Sequence, residues 1–181
     1  IISFIAIQLR PVQESNVVLD MQKKIVSSAG LEKVYGSVEN AMSNIKTLII
    51  DLDKGEIVDI NPDSYELAKE LREDGKYKFL SAEEDVASIK KREKYSKIYI
   101  EYKDNKINTL ILPVRGYGLW GILYGYLAIE GDFNTVAGLE FYEHKETPGL
   151  GAEIDNPKWK ALWKGKKIYQ ENGEVSLKVI K

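Results

Sequence analysis

The first thirty residues combine an apolar run with a helical spacing of apolar side chains. Residues 1–9, IISFIAIQL, form the apolar run, which stops at Arg10 and Pro11. Beyond Pro11, apolar residues recur at every fourth position: Val17, Met21, Ile25 and Ala29. This spacing predicts an amphipathic helix with those residues on its buried side, ending at Gly30.

The apolar run itself has three interpretations. A helix needs about 20 apolar residues to cross a bilayer, so residues 1–9 are too short to do so by themselves. They suit the end of a membrane helix that begins further upstream. They also suit an ordinary hydrophobic strand or the remnant of a signal sequence. The pattern alone leaves these interpretations open.

The segment from Lys46 to Lys94 predicts a hairpin followed by helices. KTLIIDLD and EIVDI flank Lys54 and Gly55, as expected for two strands joined by a tight turn. Asp51 and Asp53 lack the spacing of a calcium loop, so we interpret them as solvated carboxylates beside the turn. Asn61 and Pro62 predict a helix start, and the run KKREK at 90–94 predicts a solvated helix face. The buried stripe expected for the helix after Pro62 is Tyr65, Ala68 and Leu71, with an end at Gly75.

The second half of the chain alternates between apolar and polar residues, the pattern of strands. KIYIEY and KINTLILPV flank Asp104 and Asn105, and two further strands are predicted in GYGLWGILYGYLAI and TVAGLEFYEHKE. A short helix is expected after Asn156 and Pro157, and a final half-buried strand at residues 175–179. Together these elements predict a single α+β domain with a mostly antiparallel, twisted sheet flanked by helices.

Composition limits the chemistry that the side chains can perform. The 26 basic and 28 acidic residues nearly cancel, which disfavours nucleic acid as a partner. The chain has no cysteine and a single histidine, His144, which removes thiolate catalysis and metal sites built on sulfur or on two imidazoles. Few options remain for a nucleophile and base pair, and we single out no catalytic residue and no metal site. Any redox chemistry has to come from a cofactor.

Two glycine-containing loops are the candidate binding residues. GYGLW at 116–120 and ETPGLG at 146–151 each place glycines beside bulky apolar residues. A flat tricyclic ring needs planar side chains to stack on and bare backbone amides near its polar rim. GYGLWG is not a dinucleotide fingerprint, because its third glycine is misplaced and a strand follows it. Turn glycines and a core tryptophan would also explain both loops.

The residues from 112 to 166 also carry a resemblance to a known family. LPVRGYGLWGILYGYLAIEGDFNTVAGLEFYEHKETPGLGAEIDNPKWKALWKGK closely resembles the C subunits of sodium-translocating NADH:quinone oxidoreductases, relatives of the RnfG flavoproteins. RPVQ at 10–13 resembles the same family just beyond its membrane helix. The resemblance implies an FMN-binding electron-transfer subunit at residues 11–181, with residues 1–10 as the end of a single membrane helix.

The family also implies a location and partners. The flavin domain is expected on the extracytoplasmic side of the bacterial inner membrane, in contact with the other subunits of the complex. NADH oxidation, sodium passage and quinone reduction are expected on those other subunits.

Site residues follow from the resemblance by position. Trp120 and Leu150 match the residues that pack on the flavin ring. The positions expected to supply backbone or hydroxyl contacts are Gly118, Leu119, Thr147, Gly149 and Gly151. Glu146 is expected to cap or orient its loop, and His144 to act as a sheet or hydrogen-bonding residue.

The covalent link of the family is not found in this sequence. The family joins FMN through its phosphate to a threonine in a motif close to SGATxT. That context is absent around Thr47, Thr109, Thr135 and Thr147. We therefore expect the attachment segment to lie beyond Lys181, a residue that matches a position near the flavin.

Two other functions remain as alternatives. The first is a non-redox, membrane-anchored interaction module of a respiratory complex. The second is an independent flavin-dependent transferase or reductase, which would need a dinucleotide pocket and a charged phosphate cradle. Neither of those two features is evident in the sequence.

Overall fold

A long helix opens the fold. The computed structural model describes residues 2–179, with side chains from residue 15 onward. Helix α1, Ile2–Ser28, includes residues 2–10, so the strand interpretation of the apolar start is wrong. Its end at Gly30 is confirmed, with φ of 66° at that glycine. None of the helices described is both long and apolar enough to span a membrane.

The predicted buried side of α1 is confirmed only near its end. Ile25 and Val26 are buried, whereas Val17 and Met21 are exposed by 59% and 38%. The reason is that only the last turns of the helix reach the sheet, where Ile25 and Val26 join the core. The earlier turns extend beyond this contact.

Six strands form one antiparallel sheet, which confirms the predicted fold class. The eight strands found in residues 2–179 are β1 Ile45–Asp51, β2 Glu56–Val58, β3 Tyr77–Phe79, β4 Lys91–Glu93, β5 Tyr95–Lys103, β6 Lys106–Tyr117, β7 Ile122–Glu130 and β8 Val136–Glu143. The order in the main sheet is β2-β1-β5-β6-β7-β8, and β3 pairs with β4 separately. The shorter helices are α2 Glu32–Tyr35, α3 Val38–Ser43, α4 Leu67–Glu70 and α5 Pro157–Ala161, with 3-10 turns at Pro62–Ser64 and Gly151–Asp155.

The predicted hairpins are confirmed. Asp51 of β1 pairs with Glu56 of β2 across the Lys54–Gly55 turn. Asp104 and Asn105, with φ of 51° and 58°, join β5 to β6. The glycine-containing strand β7 has two register shifts relative to β8.

The segment between the hairpin and β5 differs from the prediction. Asn61 caps its turn by accepting a hydrogen bond from the amide of Asp63 at 2.9 Å, as expected. The helix then breaks into two short pieces. Within the predicted stripe Ala68 is exposed, whereas Glu70, two residues further along α4, is buried. KKREK is a strand and not a helix face, because β4 pairs with β3 and turns Glu93 inward.

Two smaller predictions are also wrong. Asp51 is 3% exposed and therefore not solvated, since its carboxylate accepts from the amides of Asp53 and Lys54 inside the turn. Residues 175–179 do not form a strand. Val175 makes one isolated bridge to Tyr169, because no neighbouring strand in the described part of the chain continues the pairing.

The core lies between the end of α1, the helical turns after it and the centre of the sheet. It is built from Ile25, Val26, Leu31, Ala41, Ile45, Tyr99, Ile111, Tyr126 and Ala128. A buried carboxylate reinforces this junction: Glu140 of β8 contacts Lys24 of α1 at 3.0 Å and Lys160 of α5 at 2.7 Å. The end of β8 and the loop after it are thereby fixed to both helices.

Candidate functional site

The GYGLW loop is the tip of the hairpin between β6 and β7. Tyr117 and Ile122 are the last paired residues of the two strands. The amide of Gly118 donates to the carbonyl of Gly121 at 2.7 Å, which closes a turn with Leu119 and Trp120 at its end. The strands thus hold Leu119 and Trp120 at the edge of the sheet.

A single carboxylate ties this hairpin to the ETPGLG loop. Oε1 of Glu146 accepts from the amide of Trp120 at 3.1 Å. A Cβ atom added at Gly118 would overlap Oε1 of Glu146, and one added at Gly151 would lie 2.5 Å from Oε2. Glycine at both positions leaves room for the carboxylate between the loops. The expected orienting role of Glu146 is confirmed.

The ETPGLG loop is held by its own backbone and by His144. The carbonyl of Thr147 accepts from the amides of Leu150 and Ala152, each at 3.1 Å, and Gly149 adopts φ of 73° in this turn. The amide of Glu146 donates to Nδ1 of His144 at 3.2 Å, so the ring proton belongs on Nε2. Nε2 of His144 lies 2.7 Å from Oδ2 of Asp155.

This geometry confirms His144 as a hydrogen-bonding residue. It also adds Asp155, which sequence reasoning missed. Asp155 ends the 3-10 turn that precedes Asn156 and Pro157. Its position before that helix start is visible in the sequence, but only the fold brings its carboxylate to the imidazole of His144.

The large side chains of both loops point away from the core. Leu119 is 77% exposed, Trp120 is 63% exposed and Leu150 is 73% exposed. The core interpretation of Trp120 is therefore wrong. Exposing such side chains on neighbouring loops costs burial energy that a packed ligand or partner would recover.

The candidate residues form an open edge and not an enclosed cavity. The structure brings together the two loops that contain Gly118, Leu119, Trp120, Thr147, Gly149, Leu150 and Gly151 through Glu146. Two cavities of about 390 and 400 Å³ lie elsewhere on the described part of the molecule, and neither is lined by these residues. Lys181 lies outside the described residues.

The loop residues fit an FMN ring. Trp120, Leu119 and Leu150 offer a large flat side chain and two branched ones on adjoining loops. Gly149 has open space where a side chain would stand, whereas the carboxylate of Glu146 occupies that space at Gly151. An aromatic ring with a polar rim matches this combination of apolar area and bare amides.

The class of this protein is defined by its similarity to proteins of known family and structure. Residues 118–179 match the model of the FMN-binding domain, so the match begins at the second glycine of the GYGLW loop and includes most of that loop and all of the other. The crystal structure of Shewanella oneidensis NqrC superposes with a TM-score of 0.78 at 29% identity, covering 88% of this chain and 75% of the other. The fold is therefore that of a solved NqrC protein.

The family follows from the curated relatives. NqrC of Pseudomonas aeruginosa, the C subunit of its Na(+)-translocating NADH-quinone reductase, is 48% identical over 97% of this chain and 69% of its own length. The corresponding protein of Vibrio vulnificus is 38% identical over 100% of this chain and 71% of its own length. This chain therefore belongs to the NqrC family, the C subunits of Na⁺-translocating NADH-quinone reductases.

Proposed function

We propose that this chain is the flavin-carrying electron-transfer subunit of a Na⁺-pumping NADH:quinone reductase. The observation that carries the proposal is that Glu146 joins the two loops, while Trp120 on one loop and Leu150 on the other are exposed. These residues lie within the part of the chain that matches the FMN-binding domain. When bound, FMN supplies the capacity to accept and pass single electrons.

The residues of the chain position the ring and set its surroundings. Trp120 and Leu150 would pack on the ring, and Leu119 would shield its edge. The polar rim would meet the hydroxyl of Thr147 and the backbone around the loop glycines, which are Gly118, Gly149 and Gly151. Glu146 holds the two loops in register, so the protein controls the flavin through the environment of its ring and needs no nucleophile or general acid.

The proposal includes a domain division, a membrane anchor and partners. Residues 1–10 would be the end of a membrane helix, and residues 11–181 the flavin domain on the extracytoplasmic side of the inner membrane. The helical state of residues 2–10 supports the first part. Labelling of whole cells with a membrane-impermeant amine reagent should modify lysines of the domain, whereas labelling only after lysis would contradict this sidedness.

We further propose that the flavin is attached at a threonine beyond Lys181. None of the four threonines in the sequence has the family's motif around it. Protein of residues 1–181 produced together with the flavin transferase should keep its unmodified mass in intact mass spectrometry. An added mass equal to FMN on this chain would place the attachment within it.

The relay function is tested in the assembled complex. The full-length protein should carry a flavin whose absorption bleaches when NADH is added and recovers with quinone. A matched variant with the attachment threonine changed to alanine should assemble but block electron transfer. A complex that turns over normally without this flavin would favour the non-redox interaction module.

A further inference from the structure

The ETPGLG loop is closed at its base by a pair of side chains that lie outside it. His144 precedes the loop, and Asp155 follows it, 11 residues further along the chain. Nε2 of His144 lies 2.7 Å from Oδ2 of Asp155. Compact surface loops of about this length, with their ends close together, are frequently functional. The pair fixes the two ends of the loop relative to each other.

The two nitrogens of the imidazole have different partners, and both partners require the same tautomer. The amide of Glu146 donates to Nδ1 of His144 at 3.2 Å, so Nδ1 carries no proton. The proton of the neutral ring is then on Nε2, which faces the carboxylate of Asp155. A hydrogen bond at one ring nitrogen determines which of the two nitrogens is protonated. Asp155 therefore keeps Nδ1 free to accept from Glu146.

The series of hydrogen bonds continues from this loop into the GYGLW hairpin. Glu146 is held at its backbone by His144, and its Oε1 accepts from the amide of Trp120 at 3.1 Å. Its Oε2 lies against the backbone of Gly151, where an added Cβ atom would be only 2.5 Å away. The path from Asp155 to Trp120 thus passes through two side chains and crosses from one flavin loop to the other.

The exposure of the pair suits positioning better than stabilisation of the fold. The side chain of His144 is 17% exposed, and that of Asp155 is 48% exposed. A carboxylate that is half in water contributes little to folding, because water competes for it and screens it. The choice of tautomer, in contrast, decides whether the amide of Glu146 faces an acceptor or a second N–H group.

We propose that Asp155 is a positioning residue of the flavin site, acting on the two loops through His144 and Glu146. The role rests on the proposed flavin function, because it concerns the placement of the residues that pack on the ring. Without the carboxylate of Asp155, a fraction of the imidazole rings carries its proton on Nδ1. The amide of Glu146 then loses its acceptor, and the two loops lose their fixed relative position.

Asp155→Ala in the full-length flavinylated protein is the main test. NMR of the His144 ring nitrogens should show the Nε2-protonated tautomer in the unchanged protein and a mixture of tautomers in the variant. The amide of Glu146 should exchange its hydrogen about fivefold faster, the factor by which loss of one ordinary hydrogen bond shifts an opening equilibrium. The amide of Trp120 should change in the same direction. Flavin fluorescence should rise, because the ring gains access to water.

Two matched variants show whether the acceptor at residue 155 is what matters. Asp155→Asn retains an oxygen that can accept from Nε2, so it should keep the single tautomer and slow exchange at Glu146. Asp59→Ala removes a carboxylate from an exposed position after β2 and should change neither the tautomer nor the flavin fluorescence.

His144→Asn tests whether Asp155 acts through the imidazole. The amide oxygen of asparagine stands near the place of Nδ1 and accepts from Glu146 without needing a partner to select a tautomer. In this background, Asp155→Ala should leave exchange at the Glu146 amide unchanged. An undiminished effect of Asp155→Ala there would show that Asp155 acts by another route and would overturn the proposal.

Two further outcomes overturn the positioning role. One is an unchanged tautomer in Asp155→Ala. The other is a lower melting temperature with unchanged amide exchange and flavin fluorescence, which would make the pair a purely structural contact. Bleaching of the flavin by NADH judges the electron-transfer function separately. A flavin that bleaches normally but whose fluorescence ignores Asp155→Ala rejects only the positioning role, whereas a flavin that NADH does not bleach in the assembled complex rejects the proposed function.

Discussion

Two glutamates, six residues apart in the chain, are used in different ways. Glu140 on β8 is buried, and its carboxylate contacts Lys24, Lys160 and the hydroxyl of Ser27 at 3.3 Å. Glu146, in the following loop, reaches the amide of Trp120, and glycines make room for it. The first carboxylate joins α1, β8 and α5, whereas the second joins two loops.

The difference separates stability from positioning. A buried carboxylate with two ammonium partners is costly to disrupt, because removing it leaves positive charges without compensation. A carboxylate that accepts from one backbone amide on a half-exposed loop contributes less to folding. Its effect is to fix where Leu119, Trp120 and Leu150 stand relative to one another. Variants at both glutamates and at their neighbours can test this distinction.

Glu140→Gln should give the largest loss of stability. Lys160, whose side chain is 16% exposed, loses its anionic partner, and so does the more exposed Lys24. We expect the free energy of unfolding to fall by about 2 kcal/mol, below the full cost of breaking a buried pair because Lys24 is partly hydrated. Urea denaturation measures this, with Glu171→Gln at an exposed position as control. A loss no greater than that of the control would show that Glu140 is not a structural clamp.

Glu146→Ala should cost about 1 kcal/mol of global stability, one charge-assisted hydrogen bond. Its larger effect should be local, with the Trp120 amide exchanging its hydrogen much faster than the amides of β7. Glu146→Gln retains an acceptor oxygen and should preserve much of the protection. Hydrogen exchange followed by NMR distinguishes the two variants. If the Trp120 amide kept its protection from exchange in both variants, the tip of the hairpin would be stable without the carboxylate of Glu146.

Gly118→Ala tests the fit of the carboxylate between the loops. The added methyl group would overlap Oε1 of Glu146, a flexible side chain that can move away, so we expect a loss of about 0.5–1 kcal/mol. In the Glu146→Ala background the same change should cost clearly less. A double-mutant cycle on unfolding free energies measures that coupling. Additive losses would locate the strain in the hairpin turn instead.

The sequence predicted the regular hairpins well, because their signals are local. Lys54–Gly55 and Asp104–Asn105 specify turns, and the strands beside them alternate in burial. The KKREK segment was mispredicted since its charges suggested solvation, while the fold supplies Arg115 as an inward partner for Glu93. The predicted burial of Val17 and Met21 was wrong for the same reason. Spacing shows which residues share one face of a helix, but only the tertiary structure shows what covers that face.

For the site, sequence predicted which loops matter but not how they are joined. Glycines beside Trp120 and Leu150 indicated both loops, and Glu146 was expected to orient one of them. That its carboxylate reaches the other loop depends on the pairing of β7 with β8, which sets the two loops side by side.

Trp120→Ala should have the smallest effect on folding and an effect mainly on the flavin. The side chain is 63% exposed, so its truncation removes little buried surface, and we expect the free energy of unfolding to change by less than about 0.5 kcal/mol. In the full-length flavinylated protein, the flavin ring would lose a packing interaction that contributes about 1 kcal/mol. Flavin fluorescence should rise and the flavin potential should shift.

Phe79→Ala is the matched control for Trp120→Ala. Phe79 is 73% exposed on β3, away from both loops, and its truncation should leave flavin fluorescence and potential unchanged. The distinguishing measurement is the pair of melting temperature and flavin potential in each variant. If Trp120→Ala lowered the melting temperature strongly while the spectrum and potential stayed constant, Trp120 would be supporting the hairpin and the ring would have to lie elsewhere. A shifted potential at constant stability would instead mean that the residues positioned by Glu146 act on the cofactor, whereas those joined by Glu140 act on the fold.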